Sequence, residues 1–405
     1  MDLFPEQYVY GFKMLSYFTI SFLLAMWLAP FLINLLVENQ WWKKKIEKKA
    51  STGENLTVIN ALKEKAEGDR KLPSSGGILI WGTTLLIALV FWIVLRLFPD
   101  KSPGISFSEF LNFVDWRQTF IPIGVLIGGA LIGLLDDYLV TRPNGGNYFA
   151  GGLKLSYRAV GVIGMATFIG WWFHARIGDL MHTITLPFWV GDKWMVLDLT
   201  TIELPLHWLD KVAGIIGINW ELSNGGWLII PITVIVLTAL WGTAIIDGFD
   251  GLSTGTLIPV YLCFTGLAFV GGFYNIATFM AVMSGALVAY LWYNIPPAKF
   301  YLGETGSAPV LLVLGTVAML IDKLYVLPLT GLILFVTMFS AVIQVFSKKI
   351  FKRKVFIAAP LHHHLEAQGW PRTQITMRYW LISLITSVLG FAFGIIIGAR
   401  NIILP

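Results

Sequence analysis

The chain has 405 residues, of which 56% are hydrophobic and only 13% charged. Soluble domains sit nearer half apolar and a quarter charged, so an ordinary soluble fold is excluded and lipid is the expected solvent. The formal charge is +5, and the single cysteine, Cys263, rules out an internal disulfide and a Cys-based metal site.

Crossing a hydrocarbon core takes about 20 mainly apolar residues. Ten runs approach this: 15–36, 77–98, 119–135, 157–173, 226–246, 252–272, 276–293, 307–321, 327–346 and 379–398. In lipid the backbone must satisfy its own hydrogen bonds, so each is expected to be a helix. The weakest are 307–321, which is short, and 119–135, which runs straight into two aspartates. The start of the chain carries Asp2 and Glu6 and lacks a basic leader, so the first run is expected to be a retained span. Segment 174–225 holds two alternating stretches, Thr183–Phe188 and Lys193–Leu199, with Val190-Gly191-Asp192 between them, and predicts a short hairpin. The expected fold is therefore an all-α polytopic membrane protein of about ten transmembrane helices, one domain over 1–405, with a short β-hairpin in an outside loop.

Charge orients the spans. Loops 37–76, 136–156, 247–251, 294–306 and 347–378, with Arg158, carry 20 of the 29 Lys and Arg. The positive-inside rule makes them cytoplasmic and puts both termini outside. The basic runs Lys43-Lys44-Lys45 and Lys352-Arg353-Lys354 read as orientation signals and anionic-lipid contacts, not as a nucleic-acid surface.

The polar residues that carry chemistry fall on that same face, where ionisable groups at a span are costly and usually functional. Arg70-Lys71-Leu72-Pro73-Ser74-Ser75-Gly76-Gly77 is a basic, small-residue loop suited to phosphate. Asp136-Asp137 ends the third run; paired carboxylates favour a nearby cation, or else mark a wetted helix end. Asp247-Gly248-Phe249-Asp250-Gly251 is too short to leave membrane depth, and a helical turn there would face both carboxylates one way. In Asn294 to Ser307, Gly303-Glu304-Thr305-Gly306-Ser307 offers amides and hydroxyls before an apolar helix, an anion seat or simply an N-cap. Pro360-Leu361-His362-His363-His364-Leu365-Glu366 suits a loop that aims imidazoles at a ligand; too few further Cys or His exist to complete a zinc set. Carboxylates with scattered cations suit Mg²⁺ and a diphosphate, hence metal-assisted phosphoryl transfer.

These motifs resemble those of the polyprenyl-phosphate N-acetylhexosamine-1-phosphate transferases, and within them the phospho-N-acetylmuramoyl-pentapeptide transferases, over essentially the whole chain. Gly133–Asp137, Asp247–Leu252 and Asn294–Ser307 are similar to the family's acidic motifs, and Pro360–Glu366 to the His stretch of the muramoyl-pentapeptide branch. The resemblance implies UDP-N-acetylmuramoyl-pentapeptide as donor, undecaprenyl phosphate as acceptor, UMP as product, Mg²⁺ as cofactor, a homodimer, and a site on the cytoplasmic side of a bacterial plasma membrane. It implies catalytic roles for Asp136, Asp137, Asp247 and His363, with Glu304 and Asp247 on the metal. Arg70, Lys71, Ser74, Arg158, Asp250, Asn294, Tyr301, His362 and His364 would bind substrate, Tyr301 by stacking on uracil. The chain departs from the family where Asn is usual at Trp241 and Ala244, Asp at Glu304, and Lys at Arg158 and Val140. A divergent active enzyme is expected; a UDP-GlcNAc-type enzyme, an inactive homologue and a transporter are the alternatives. Transporters place polar groups near the midplane, often with inverted repeats, and none is evident here.

Overall fold

The computed structural model describes residues 6–42, 71–97, 111–116, 118–141, 153–177, 183–190, 193–205, 210 and 223–402. All ten apolar runs lie on helices. They are α1 (Glu6–Glu38), α2 (Gly77–Leu97), α3 (Phe120–Thr141), α4 (Leu155–Trp172), α5 (Ile229–Gly242), α6 (Leu252–Val270), α7 (Tyr274–Asn294), α8 (Glu304–Leu320), α9 (Leu332–Phe351) and, after the short α10 (Leu361–Ala367), α11 (Arg372–Ile402). Among the described residues, eight helical segments are long and apolar enough to cross a membrane. The two runs that fall short of the expected ten are α4, which opens around Arg158, and α8, with 17 residues. The fold is an all-α polytopic membrane architecture.

Helix α8 shows why a short helix serves here. Nearly every residue from Thr305 to Met319 is buried, so α8 is surrounded by protein and has no lipid thickness to match. Its neighbours approach through small residues, the usual solution when lipid removes the hydrophobic drive between helices. A Cβ on Gly129 of α3 would lie 2.8 Å from Pro309 Cα, and one on Gly133 would lie 2.3 Å from the Glu304 carbonyl oxygen. The same device seats α1 on α7, where Gly285 faces the Phe18 carbonyl and Ser21 Oγ donates to Val282 O at 2.6 Å. It also seats α6 on α11, where Gly255 accommodates Trp380.

The hairpin forms as β1 (Thr183–Val190) and β2 (Lys193–Asp198), antiparallel, with Thr183 opposite Asp198 and Trp189 opposite Trp194. The register slips between Thr185 and Trp189, where Pro187 has no N–H to give the ladder. Asp322, just beyond α8, accepts from Thr185 N at 3.0 Å and also from the Thr185 hydroxyl. The hairpin is therefore at the opposite end of α8 from Glu304, about 26 Å away at 1.5 Å per residue.

Gly133→Ala is expected to lower stability by about 1–3 kcal/mol, because α3 must move off the start of α8. Thermal denaturation of the detergent-solubilised variant measures this; an unchanged midpoint would show that the seam has slack.

Candidate active site

Helix α3 does not stop at the aspartates. It continues to Thr141, so Asp136 and Asp137 lie inside a helix, only 6% and 1% exposed. This corrects the helix-end reading. Carboxylates that buried need partners. Asp137 Oδ1 accepts from Glu304 N at 3.3 Å, and Oδ2 from Thr305 N at 3.2 Å and Ser75 Oγ at 3.1 Å. Asp137 thus satisfies the first amides of α8 from a neighbouring helix, where the helix dipole also favours a negative charge. Gly303 turns the chain into α8 at φ +71°; any Cβ there would strike Asp137 Oδ2 at 2.2 Å.

Asp136 points the other way. Its Oδ1 accepts from Leu153 N at 2.7 Å, and its Oδ2 lies 3.4 Å from Arg158 Nη1. The same Nη1 is 3.4 Å from Glu304 Oε2. Glu304 Oε1 takes the indole N–H of Trp241 at 2.6 Å. Arg158 is a bridge between two carboxylates, with its side chain one quarter exposed and its Nε buried without a hydrogen-bond partner.

The second acidic motif forms an irregular turn, with Gly251 at φ +71°. The two carboxylates therefore do not share a helix face. Asp247 is exposed, while Asp250 Oδ2 accepts from Ala298 N at 3.1 Å. Asn294 is buried and commits its amide to backbone: Oδ1 accepts from Gly251 N at 2.9 Å, and Nδ2 donates to Phe300 O at 2.8 Å. Its role is to clamp two loops. Trp380 of α11 closes the turn from the other side by donating to Gly251 O at 2.9 Å. Tyr290, buried in α7, donates its hydroxyl to Phe300 O at 3.4 Å and lies against the Phe300 ring, which fixes the loop that leads to Tyr301.

The histidine run is the helix α10 and not a loop, so its rings diverge. His362 and His363 are buried edge-on to Phe249, and a Cβ on Gly248 would meet His362 Nε2 at 2.4 Å. His363 Nδ1 pairs with Glu366 at 2.9 Å, and Arg372 Nε donates to the same carboxylate at 2.5 Å. Burial would raise the Glu366 pKa, but the His363 and Arg372 hydrogen bonds outweigh it and hold it low. Burial first, then His363 and Arg372, push the His362 pKa well below 6.5, so this imidazole is neutral. His364 turns away: its Nδ1 accepts from Ile357 N at 3.2 Å and its ring lies against Phe356.

The loop before α2 runs beside the third motif. Tyr301 N donates to Pro73 O, Gly76 N to Tyr301 O, and Gly77 N to Leu302 O, at 2.8 to 3.0 Å. Ser74 is fully buried, and its hydroxyl has no partner. Lys71 is exposed, its Nζ 5.7 Å from the Trp42 ring centre. Arg70 lies outside the described residues. One end of the bundle therefore gathers Ser74, Asp136, Asp137, Arg158, Glu304 and Tyr301, next to Asp247, Asp250, Asn294, His362 and His363. Sequence reasoning gave no role to Trp241, Arg372, Tyr290 or Trp380. An indole or a phenol inside an apolar helix needs a hydrogen-bond partner, which was the available signal.

Magnesium fits this arrangement poorly. It demands near-octahedral oxygen ligands at about 2.0–2.1 Å. Among the described residues, no three carboxylate, imidazole or thiolate groups converge as a ligand set. Both oxygens of Asp136, Asp137 and Glu304 already face a protein N–H or O–H donor.

Comparison with known proteins supports the motif reading. The family model described as glycosyl transferase family 4 matches residues 119–322. A Bartonella quintana protein named phospho-N-acetylmuramoyl-pentapeptide-transferase is 30% identical over 311 residues, covering 71% of this chain and 76% of its own. A protein of the same name from Protochlamydia amoebophila is 26% identical, covering 95% of this chain and 93% of its own. One from Pelagibacter ubique is 34% identical over 185 residues, about half of its own length. The matched stretch of the family model begins beside α3 and ends beyond α8, so it takes in both acidic motifs and the Arg158 bridge. The chain belongs to glycosyl transferase family 4 and, within it, to the phospho-N-acetylmuramoyl-pentapeptide transferases.

Proposed function

We propose that the chain moves phospho-N-acetylmuramoyl-pentapeptide from its UDP-linked donor onto undecaprenyl phosphate at the cytoplasmic membrane surface. An oxygen of the acceptor phosphate forms a new bond to the sugar-bearing phosphorus of the donor. The bond from that phosphorus to the bridging oxygen breaks, and UMP leaves with that oxygen and the electron pair. The observation that carries this reading is the Asp136–Arg158–Glu304 bridge, a cation set among carboxylates at one end of an apolar bundle. A diphosphate needs positive charge as the bond to UMP breaks, and a prenyl chain needs apolar helix faces beside it. Arg158 holds phosphate oxygens in this account, while Asp136 and Glu304 fix its direction. Asp247, exposed at the turn, meets the polar part of the donor.

The relatives' shared name supports the muramoyl-pentapeptide donor over a UDP-GlcNAc donor. Purified protein given UDP-N-acetylmuramoyl-pentapeptide and undecaprenyl phosphate is expected to release UMP and form a lipid-linked product. UMP release with UDP-GlcNAc alone would move the chain to the sister activity, and release with neither donor would make it an inactive homologue.

A further inference from the structure

We propose that the Arg158 guanidinium takes the place of a divalent cation in this chain, so that its acidic cluster holds phosphate without a metal. The phosphate part of this inference rests on the function proposed above; the exclusion of metal does not.

Three side chains that meet at one point, Glu304, Trp241 and Arg158, carry the argument. Glu304 is one methylene longer than the aspartate expected there, and that reach lets it touch two donors: Trp241 Nε1 at 2.6 Å and Arg158 Nη1 at 3.4 Å. Trp241 stands where an asparagine is expected. An asparagine has a carbonyl oxygen that can ligate a hard cation, whereas an indole only donates. Arg158 stands where a lysine is expected. A guanidinium stays charged, and its planar fork can span two carboxylates or two phosphate oxygens. Together these side chains offer no oxygen at position 241, turn N–H donors toward both oxygens of Glu304, and put a fixed positive charge between Asp136 and Glu304. A dication seated there would be repelled by Arg158 and would have to displace each donor.

The bridge is also built to accept an anion. Arg158 is one quarter exposed, and its Nε is buried with no acceptor in the described structure. An N–H without an acceptor beside two carboxylates is the feature a phosphate oxygen would satisfy.

The test uses the full-length protein in detergent, with Mn²⁺ as probe and electron paramagnetic resonance as readout, in the absence of substrate. No saturable Mn²⁺ site is expected in the wild type. The double change Trp241→Asn, Arg158→Lys is expected to create one, and adding Glu304→Gln to abolish it. Inorganic pyrophosphate is expected to bind the wild type equally well with and without EDTA, and at least about tenfold more weakly to Arg158→Ala, in line with losing a bidentate cation. Arg158→Lys serves as the folding control. A stoichiometric Mn²⁺ site in the wild type that disappears in Glu304→Gln would overturn the proposal, as would pyrophosphate binding that requires a divalent ion. Because the Mn²⁺ titration needs neither donor nor acceptor, it can fail while UMP release stands, and the reverse also holds.

Discussion

Asp137→Ala is expected to abolish turnover and weaken the fold together, whereas Glu304→Gln should cost turnover alone. Asp137 is not simply a chemical group in a cleft. Its two oxygens hold the amides of Glu304 and Thr305 and the hydroxyl of Ser75. Alanine leaves two buried N–H donors without partners at the start of the most enclosed helix. A lost helix cap with unsatisfied buried donors corresponds to a loss of about 2–4 kcal/mol. Glutamine at 304 is a different change. Its carbonyl oxygen can still accept from Trp241, Arg158 still has Asp136, and the α8 amides keep Asp137. Stability should therefore move by less than about 1 kcal/mol, in the range of a single part-exposed ion pair. Turnover should fall by about 100-fold or more, because Arg158 loses the carboxylate that aims it. UMP release and thermal denaturation measured side by side on both variants decide the matter. If Asp137→Ala melts like the wild type, the cross-helix cap is wrong; if Glu304→Gln keeps full turnover, the Arg158 bridge plays no part in the reaction.

Much of this was legible in the sequence, and what was not has identifiable causes. Apolar length located every long helix, because the bilayer leaves the backbone no alternative. It failed at the end of α3, where hydropathy drops at Asp136 but the helix runs on to Thr141. The partners that make burial tolerable there, Leu153, Arg158, Ser75 and the start of α8, are distant in sequence. The histidines were misjudged for a related reason. Three in a row cannot share one helix face, but the chain did not need them to: two pack on Phe249, and the third serves the 356–357 loop. Trp241 was visible only as a missing asparagine. That its indole holds Glu304 follows from α5 and α8 lying side by side, which no local pattern records. Spacing also counts carboxylates without showing the donors turned toward them, as Trp241 and Arg158 are turned toward Glu304.

Stability is expected to fall as pH drops below 6.5, and His362 is the reason. This ring is fully buried with neither nitrogen hydrogen-bonded, and it sits against His363, with Arg372 near enough to oppose a second positive charge. Its folded pKa is pushed well below 6.5, while in the unfolded chain it stays near that value. Above 6.5 neither state holds the proton and there is no cost. Below it the unfolded chain takes up a proton that the folded chain refuses, so the folded state loses about 1.4 kcal/mol per pH unit until its own lowered pKa is reached. Glu366 adds to the same trend further down. Its depressed pKa contributes stability that is complete above 4.5 and lost as pH falls through the lowered value, when His363 and Arg372 give up their shared acceptor. The two groups therefore act in successive windows, His362 first. Chemical denaturation in detergent from pH 7.5 to 4 should show a slope starting near 6.5 and steepening below 4.5. His362→Phe keeps an aromatic edge on Phe249 and should flatten the upper window while leaving the lower one. A wild-type stability that stays level between pH 6.5 and 5 would mean that His362 is protonated in the folded protein, and that α10 opens enough to hydrate it.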